Sequence, residues 1–297
     1  MQPTLELAGP TNLLARFLRG RKWYGAEWYM TVTGGLIVIV VLTLTVVSFL
    51  TPNLAPYDPE VRSGDPFTAP SAGHIFGTDQ LGRDILSRIM YGAQIVLQVA
   101  ALSATFSLVT GVPLGLMSGY VGGRLDRALS LVMDSIYSFP GLILAIALAA
   151  LLGAGVLNIA IAIAVVYVPI FFRLVRGQVL SIKEQLYVEA ARSLGAKGRT
   201  VLWQYIFPNV IPSIVVVFSL NIADAIITEA GLAFIGLGVD PSRPDWGYDI
   251  FRGRSELAGG RWWPVTFPGL AIALVALGFS MFGEGLSEIL NPKLTES

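Results

Sequence analysis

EQLYVEAARSLGAKGRTVLWQYIFPNVIP, residues 184–212, is a charged, small-residued stretch between two runs of chain oily enough for a lipid bilayer. Ile182, Leu186, Ala190 and Leu194 recur at helical spacing as one apolar stripe, with Lys183, Glu184 and Arg192 off it. Gly195 and Gly198 can take the positive φ that ends a helix. Val201, Leu202, Tyr205 and Ile206 then make the stripe of a second helical segment, and Pro208 and Pro212 mark the entry to the next apolar run. The stretch reads as a helical hairpin. Ala190, Ala191, Ser193 and Gly195 are small enough to let another surface come close to the backbone. Periodicity leaves two readings open: a solvated connector between spans, or a docking element.

Outward from the hairpin, the chain is membrane-like. Of 297 residues, 54% are hydrophobic and 13% charged, against about a quarter charged in soluble domains. Twenty Lys and Arg balance twenty Asp and Glu, so net charge points to no acidic partner such as nucleic acid. The absence of cysteine excludes disulfides, thiolate metal sites and iron–sulfur clusters. With one histidine, His74, a His-rich metal site or proton relay is disfavoured.

A helical span needs roughly 20 mostly apolar residues. Six such runs predict an all-α membrane protein: residues 30–50, 93–117, 129–152 (interrupted by Pro140), 155–172, 210–237 and 264–288. The first run lacks a small-x-small cleavage site and reads as a retained anchor. Ahead of it, Leu13, Leu14, Phe17 and Leu18 share a helical face opposite arginines. That suits a helix in the headgroup layer, and a disordered basic leader is the other reading. Six spans put both termini on one side. Thirteen of the twenty basic residues then fall on the N-terminal side and sit nearer the span ends, so both termini and the hairpin are expected to be cytoplasmic.

The outer segment ends FGTDQLGRDILSRIMYGAQ, residues 76–94. Thr78 or Asp79 can cap a helix there. Asp84 lies near the helix's positive end, and Ile85, Leu86, Ile89 and Met90 form its apolar stripe. Inside the bilayer charged groups are costly and tend to face protein or water. Asn221, Asp224 and Glu229 in the fifth span are therefore candidates for a translocation path. Asn221 and Asp224 are expected to share a face, whereas Asp224 and Glu229 point about 140° apart. Asp134 is expected to cap a helix or pair with Arg124 or Arg127. Gly111, Gly115 and Gly119 allow close helix approach. Trp246, Tyr248, Phe251, Trp262 and Trp263 in the last outer loop read as an aromatic belt.

No G-x4-G-K-[ST] loop, G-x-S-x-G or H-E-x-x-H motif occurs, so any ATP chemistry has to come from a partner. Glu189-Ala190-Ala191, then Gly195, then Ile206-Phe207-Pro208 resembles the EAA loop of ABC importer membrane subunits, with Phe207 where that family usually has leucine. The segment GTDQLGRDILSR is similar to the signature of the C-type membrane subunit of dipeptide, oligopeptide and nickel importers. That likeness rests on Gly77, Thr78, Asp79, Gly82, Arg83 and Asp84, and continues through GYVGGRLDR, YSFPGLILAIAL, EAGLAFIGLG, DWGYDI and LNPKL.

The resemblance implies a type I ABC importer permease fold with N- and C-termini cytoplasmic. Its parts would be a cytoplasmic leader (1–29), a first span and outer loop (30–92), a five-helix permease core (93–290) containing a coupling hairpin (176–209), and a cytoplasmic tail (291–297). It implies that Glu189, Ala190, Ala191, Arg192, Gly195 and Pro208 couple to an ATPase. It implies no cofactor in this chain, with ATP and Mg on partner subunits. The implied partners are a second homologous permease, one or two ATPases and an external substrate-binding protein, all at a prokaryotic plasma (inner) membrane. The alternative is a self-sufficient secondary transporter or channel using Asp224 and Glu229.

Overall fold

A computed structural model describes residues 55–240 and 242–290, together with Val32, Gly35, Leu36 and Ile39, which are helical. The leader, most of the expected first span and the tail lie outside the described residues. Among the described residues the chain is helical, with one isolated bridge, Thr78 to Asp84, in the loop before the first long helix. The helices are α1 (Ile85–Val121), α2 (Gly123–Tyr137), α3 (Gly141–Leu152), α4 (Val156–Ile182), α5 (Leu186–Ser193), α6 (Gly198–Phe234), α7 (Trp246–Gly253) and α8 (Trp263–Leu290).

Four of these, α1, α4, α6 and α8, are long and apolar enough to cross a membrane. The run at 129–152 is not a straight span. α2 and α3 meet at 90°, because the residue before Pro140 is steered out of helical conformation and Pro140 starts a new helix. α3 alone, at 12 residues, is about 18 Å long and too short to cross. The pair counts as a fifth span only if taken together. α1 runs 37 residues without a break, so the outer signature helix and the second span are one element.

α1 and α4 form the spine. Gly111, Gly115 and Gly119 line up at four-residue intervals on α1. A Cβ on Gly111 would sit 2.7 Å from the Val168 carbonyl oxygen, and one on Gly115 2.7 Å from that of Phe172. Ser107 continues the seam and donates its hydroxyl to the Ala164 carbonyl at 3.1 Å. In lipid such a seam holds by close van der Waals contact rather than by the hydrophobic effect. The core divides along the spine. Val96, Val99, Ile159, Ile163, Ile226, Leu232 and Trp246 pack in the half nearer the loops, here the loop end. Val112, Leu116, Phe171, Val175, Val188, Val201 and Ile206 pack at the opposite, hairpin end.

At the hairpin end α2 is clasped to α4. Arg176 donates through Nε and Nη2 to Asp126 at 2.5 and 2.8 Å. Asp134 pairs with Arg173 at 2.7 Å, not with Arg124 or Arg127. Those two lie about two and three turns back on Asp134's own helix, whereas Arg173 reaches across from α4.

Candidate coupling hairpin, translocation helix and outer loop

The first arm of the expected hairpin is α5, after α4 has run on to Ile182, and the second arm is continuous with the α6 span rather than a separate helix. α5 carries Glu189, Ala190, Ala191 and Arg192. Gly195 closes it at φ 85, a left-handed conformation open to glycine at little cost. Near its start α6 has a π-helical stretch, Val201–Ile206, that ends two residues before Pro208. Proline has no N–H, and its ring crowds the carbonyl four residues back, that of Gln204, so a widened turn absorbs the misfit.

The orientation of α5 is the informative part. An apolar stripe at helical spacing normally turns toward the protein body. Here Leu186 is 82% and Leu194 89% exposed, and Ala190 is exposed between them. Val188 and Ala191, from an adjacent face, enter the core instead and fasten α5 to Val201 and Ile206. Glu189, Arg192 and Gly195 are exposed beside the stripe, as is Pro208 at the start of the apolar run. The second stripe behaves conventionally: Val201 and Ile206 are fully buried. The hairpin is thus rigidly anchored and leaves a second apolar face uncovered. Arg192 also sits 5.7 Å from the ring centroid of Tyr120 at the end of α1.

α6 distributes its three polar candidates differently from expectation. Asn221 is buried and Asp224 exposed, so they do not share a face in practice. The 60° between them spans the edge of the contact with the helices behind. Asp224 stands beside Ile227, with Thr228 one turn on; the Thr228 hydroxyl donates to the Asp224 carbonyl at 2.8 Å and lies 2.8 Å from the Tyr167 hydroxyl of α4. Glu229 points the other way, into the core, and is 1% exposed.

The outer signature is a folded knot of hydrogen bonds. Asp84, not Thr78 or Asp79, caps α1: its Oδ2 accepts from the Ser87 N–H and hydroxyl, both at 2.8 Å. Its Oδ1 lies 2.9 Å from His74 Nδ1. Asp79 Oδ1 accepts the N–H groups of Leu81 and Arg83, and its Oδ2 accepts from Arg83 Nε at 2.7 Å. Thr78 donates to the Asp65 carbonyl. Gly77 takes φ 77 and Gly82 φ 73. A Cβ on Gly77 would lie 2.6 Å from the Thr68 carbonyl oxygen.

Sequence reasoning singled out neither Asp245 nor Asp249, yet both organise this end. Asp245 caps α7 through the Tyr248 N–H at 3.1 Å and faces Glu229. Burial pushes the Asp245 carboxyl up. Burial also raises that of Asp249, against the opposing pull of Arg88. Two members of the expected aromatic belt are core residues. Trp246 donates its indole N–H to the Ile89 carbonyl at 2.9 Å, and Trp263 donates to that of Thr78 at 3.2 Å. A surface belt reading could not anticipate this, because the partners lie far back in the chain, on α1 and in the loop before it.

This arrangement, with a glycine-seamed spine, an anchored hairpin and a capped outer loop, has relatives. Residues 111–296 match the family described as binding-protein-dependent transport system inner membrane component. The chain belongs to that family. It is 40% identical over 273 residues to a glutathione transport system permease protein GsiD of Pectobacterium atrosepticum, covering 90% of this chain and 88% of that one. It is 40% identical to a dipeptide transport system permease protein DppC of Alkalihalophilus pseudofirmus, covering 86% and 84%. A probable D,D-dipeptide transport system permease protein DdpC of Escherichia coli is 38% identical, covering 89% and 88%. Among solved structures, an inward-facing form of the MetNI methionine ABC transporter superposes with a TM-score of 0.57 at 17% identity, over 69% of this chain and 96% of that one. That likeness shows the permease fold. The family is one of inner-membrane components, which agrees with the four long apolar helices.

Proposed function

We propose that this chain is the permease subunit of an ATP-driven importer and forms half of the path for dipeptides, oligopeptides or peptide-like solutes such as glutathione. The observation that carries the reading is the uncovered stripe of Leu186, Ala190 and Leu194 on a helix whose other face is locked into the core. A helix anchored that firmly transmits force, and a bare apolar stripe beside Glu189 and Arg192 suits a groove on a soluble partner. The partner is an ATPase subunit, holding ATP and Mg, and the hairpin end is cytoplasmic. Ala191 serves inside the joint rather than at its surface, holding α5 against α6. Gly195 and Pro208 set the angles at which the hairpin leaves and re-enters the membrane.

The uncovered face of α6 is where a second, related permease completes the path. A carboxylate at mid-depth of a span faces protein or water rather than lipid, so Asp224 lines that path, with Asn221 behind it. The loop end, outside the membrane, receives a substrate-binding protein. The names of the relatives support peptide-like solutes, and the family's dependence on binding proteins supports these partners. Neither supports a self-sufficient channel.

The test uses the complete reconstituted importer. With Leu186→Ser and Leu194→Ser together, the permease chain itself should retain its thermal stability, since both side chains are exposed on it, while its hold on the ATPase weakens. ATP-driven uptake should fall at least about tenfold, which corresponds to ~1.4 kcal/mol of lost coupling. Unchanged ATP-driven uptake would overturn the docking assignment. Asp224→Asn should reduce uptake while leaving ATPase association intact; an effect on association alone would remove Asp224 from the path.

A further inference from the structure

Buried carboxylates in proteins are paired with cations, hydrogen-bonded, or protonated. At the loop end the other buried charged groups are partnered. Asp79 is held by Arg83. Asp249 is held by Arg88, which also donates Nη1 to the Pro59 carbonyl at 3.0 Å. Asp84 is held by His74 and Ser87. Two carboxyls are left over. Glu229 on α6 and Asp245 at the start of α7 are each 1% exposed and face each other.

Among the described residues, the buried cations near them are committed elsewhere. α1 presents Arg88, already committed to Asp249. The loop before α1 presents Asp79 and Arg83, already committed to each other. α7 adds Asp249, a further negative neighbour of Asp245. Arg252 and Arg254 stack over the rings of Tyr248 and Phe251. α3 has no charged residue, α4 none before Arg173, and α8 none before Glu284. Among the described residues, Asp245 Oδ1 accepts from the Tyr248 N–H, while Glu229 Oε1 and Oε2 and Asp245 Oδ2 have no hydrogen-bond donor.

We propose that Glu229 and Asp245 bind one proton between them and that this proton fastens α7 to α6. An acid O–H from one carboxyl satisfies an oxygen of the other and removes one of two like charges from a buried site. When the proton leaves to solvent, two carboxylates face each other and α7 lifts. The consequences reach α1, because α7 carries both Trp246, seated against Gly92 and the Ile89 carbonyl, and Asp249, the partner of Arg88. The loop end is therefore a titratable latch. Burial raises the Asp245 carboxyl in the docked state, so the docked state holds its proton over a pH range in which a lifted, solvated carboxyl has lost it. Docking is favoured at low pH and is lost as pH rises through the raised value.

Two measurements on the full chain in lipid nanodiscs test this. The first is amide hydrogen exchange, corrected for base catalysis, from about pH 6 to about pH 9. Protection of residues 246–253 should fall at least about tenfold over that range, while residues 95–119 of α1 hold. In Glu229→Gln the α7 profile should be flat, because the Gln amide can donate to the Asp245 carboxylate at every pH and no second charge arises to repel it. The second is infrared spectroscopy of the unmodified chain. The carbonyl stretch of a protonated carboxylic acid should be present at neutral pH and disappear on alkalinisation in parallel with the loss of α7 protection. A wild-type slope retained in Glu229→Gln, or no protonated-acid band at neutral pH, would overturn the latch. Should Glu229→Gln fail to fold, the infrared titration of the unmodified chain decides alone.

Discussion

Arg88 and Asp249 lie 161 residues apart in the chain and meet in a two-pronged ion pair. Arg88 Nε is 3.0 and 3.1 Å from the two Asp249 oxygens, and Nη2 is 2.5 Å from Oδ1. The guanidinium is 1% exposed. Truncating one partner of a buried pair leaves the other charge stranded, which costs about 3–5 kcal/mol, whereas replacing both by apolar groups is often close to neutral. Arg88→Met should therefore lower the melting temperature of the purified chain sharply. The double variant Arg88→Met, Asp249→Leu should recover a large part of the loss. Additive losses in the double variant would show that the pair is not the reason Arg88 matters.

Trp246 gives a second way to probe the same joint. A Cβ on Gly92 would lie 2.8 Å from Trp246 Cδ1 and 2.9 Å from its Nε1. Gly92→Ala should push the indole from its bond to the Ile89 carbonyl, at a cost of about 1–3 kcal/mol from overpacking. Limited proteolysis in the 240–263 loop should accelerate, since the loop is tied down through this ring. Unchanged cleavage would mean that the indole can tilt aside without freeing α7.

The glycine seam, the hairpin and its closing glycine, and the long apolar helices are all legible in the sequence because each follows from local spacing. Periodicity at four residues exposes Gly111, Gly115 and Gly119 whatever they pack against. The same local logic fails where the deciding contact comes from far along the chain. Asp134 finds Arg173 rather than its own helix's arginines, and Trp246 is buried by α1 rather than displayed at an interface. Asp245 and Asp249 sit in DWGYDI with no local signal that either is buried. The direction of the α5 stripe was also hidden. Val188 and Ala191 face inward because Val201 and Ile206 arrive beneath them, and spacing alone does not say which of two faces a neighbour will cover.

Gly195 isolates backbone conformation from packing. It sits at φ 85, and a Cβ there would meet no atom within 4 Å. Any cost of substitution is therefore conformational, about 1–2 kcal/mol for a left-handed alanine and less for asparagine, which tolerates that region better. Hydrogen exchange across residues 186–200 should show Gly195→Ala loosening the hairpin more than Gly195→Asn, with α1 and α4 unaffected. Equal behaviour of the two variants would remove the left-handed turn as the reason for glycine.

The spine offers a matched pair of glycines with opposite expectations. Gly115 on α1 has the Phe172 carbonyl oxygen 2.7 Å and Val175 Cβ 2.9 Å from where a Cβ would stand, and both are unyielding parts of α4. Gly177 lies in the C-terminal part of α4 itself, and a Cβ there would meet nothing within 4 Å. Gly115→Ala must force the two helices apart, and the seam loses contacts along several turns because Gly111 and Gly119 share it. A loss of about 1–3 kcal/mol follows from overpacking. Gly177→Ala only removes backbone freedom from a helix interior and should stabilise by up to about 1 kcal/mol. Thermal unfolding in one detergent or lipid separates them: the melting temperatures should move in opposite directions. A shift of both in the same direction would mean that the response to alanine reflects helix propensity in this bilayer-spanning spine, and not the closeness of α1 to α4.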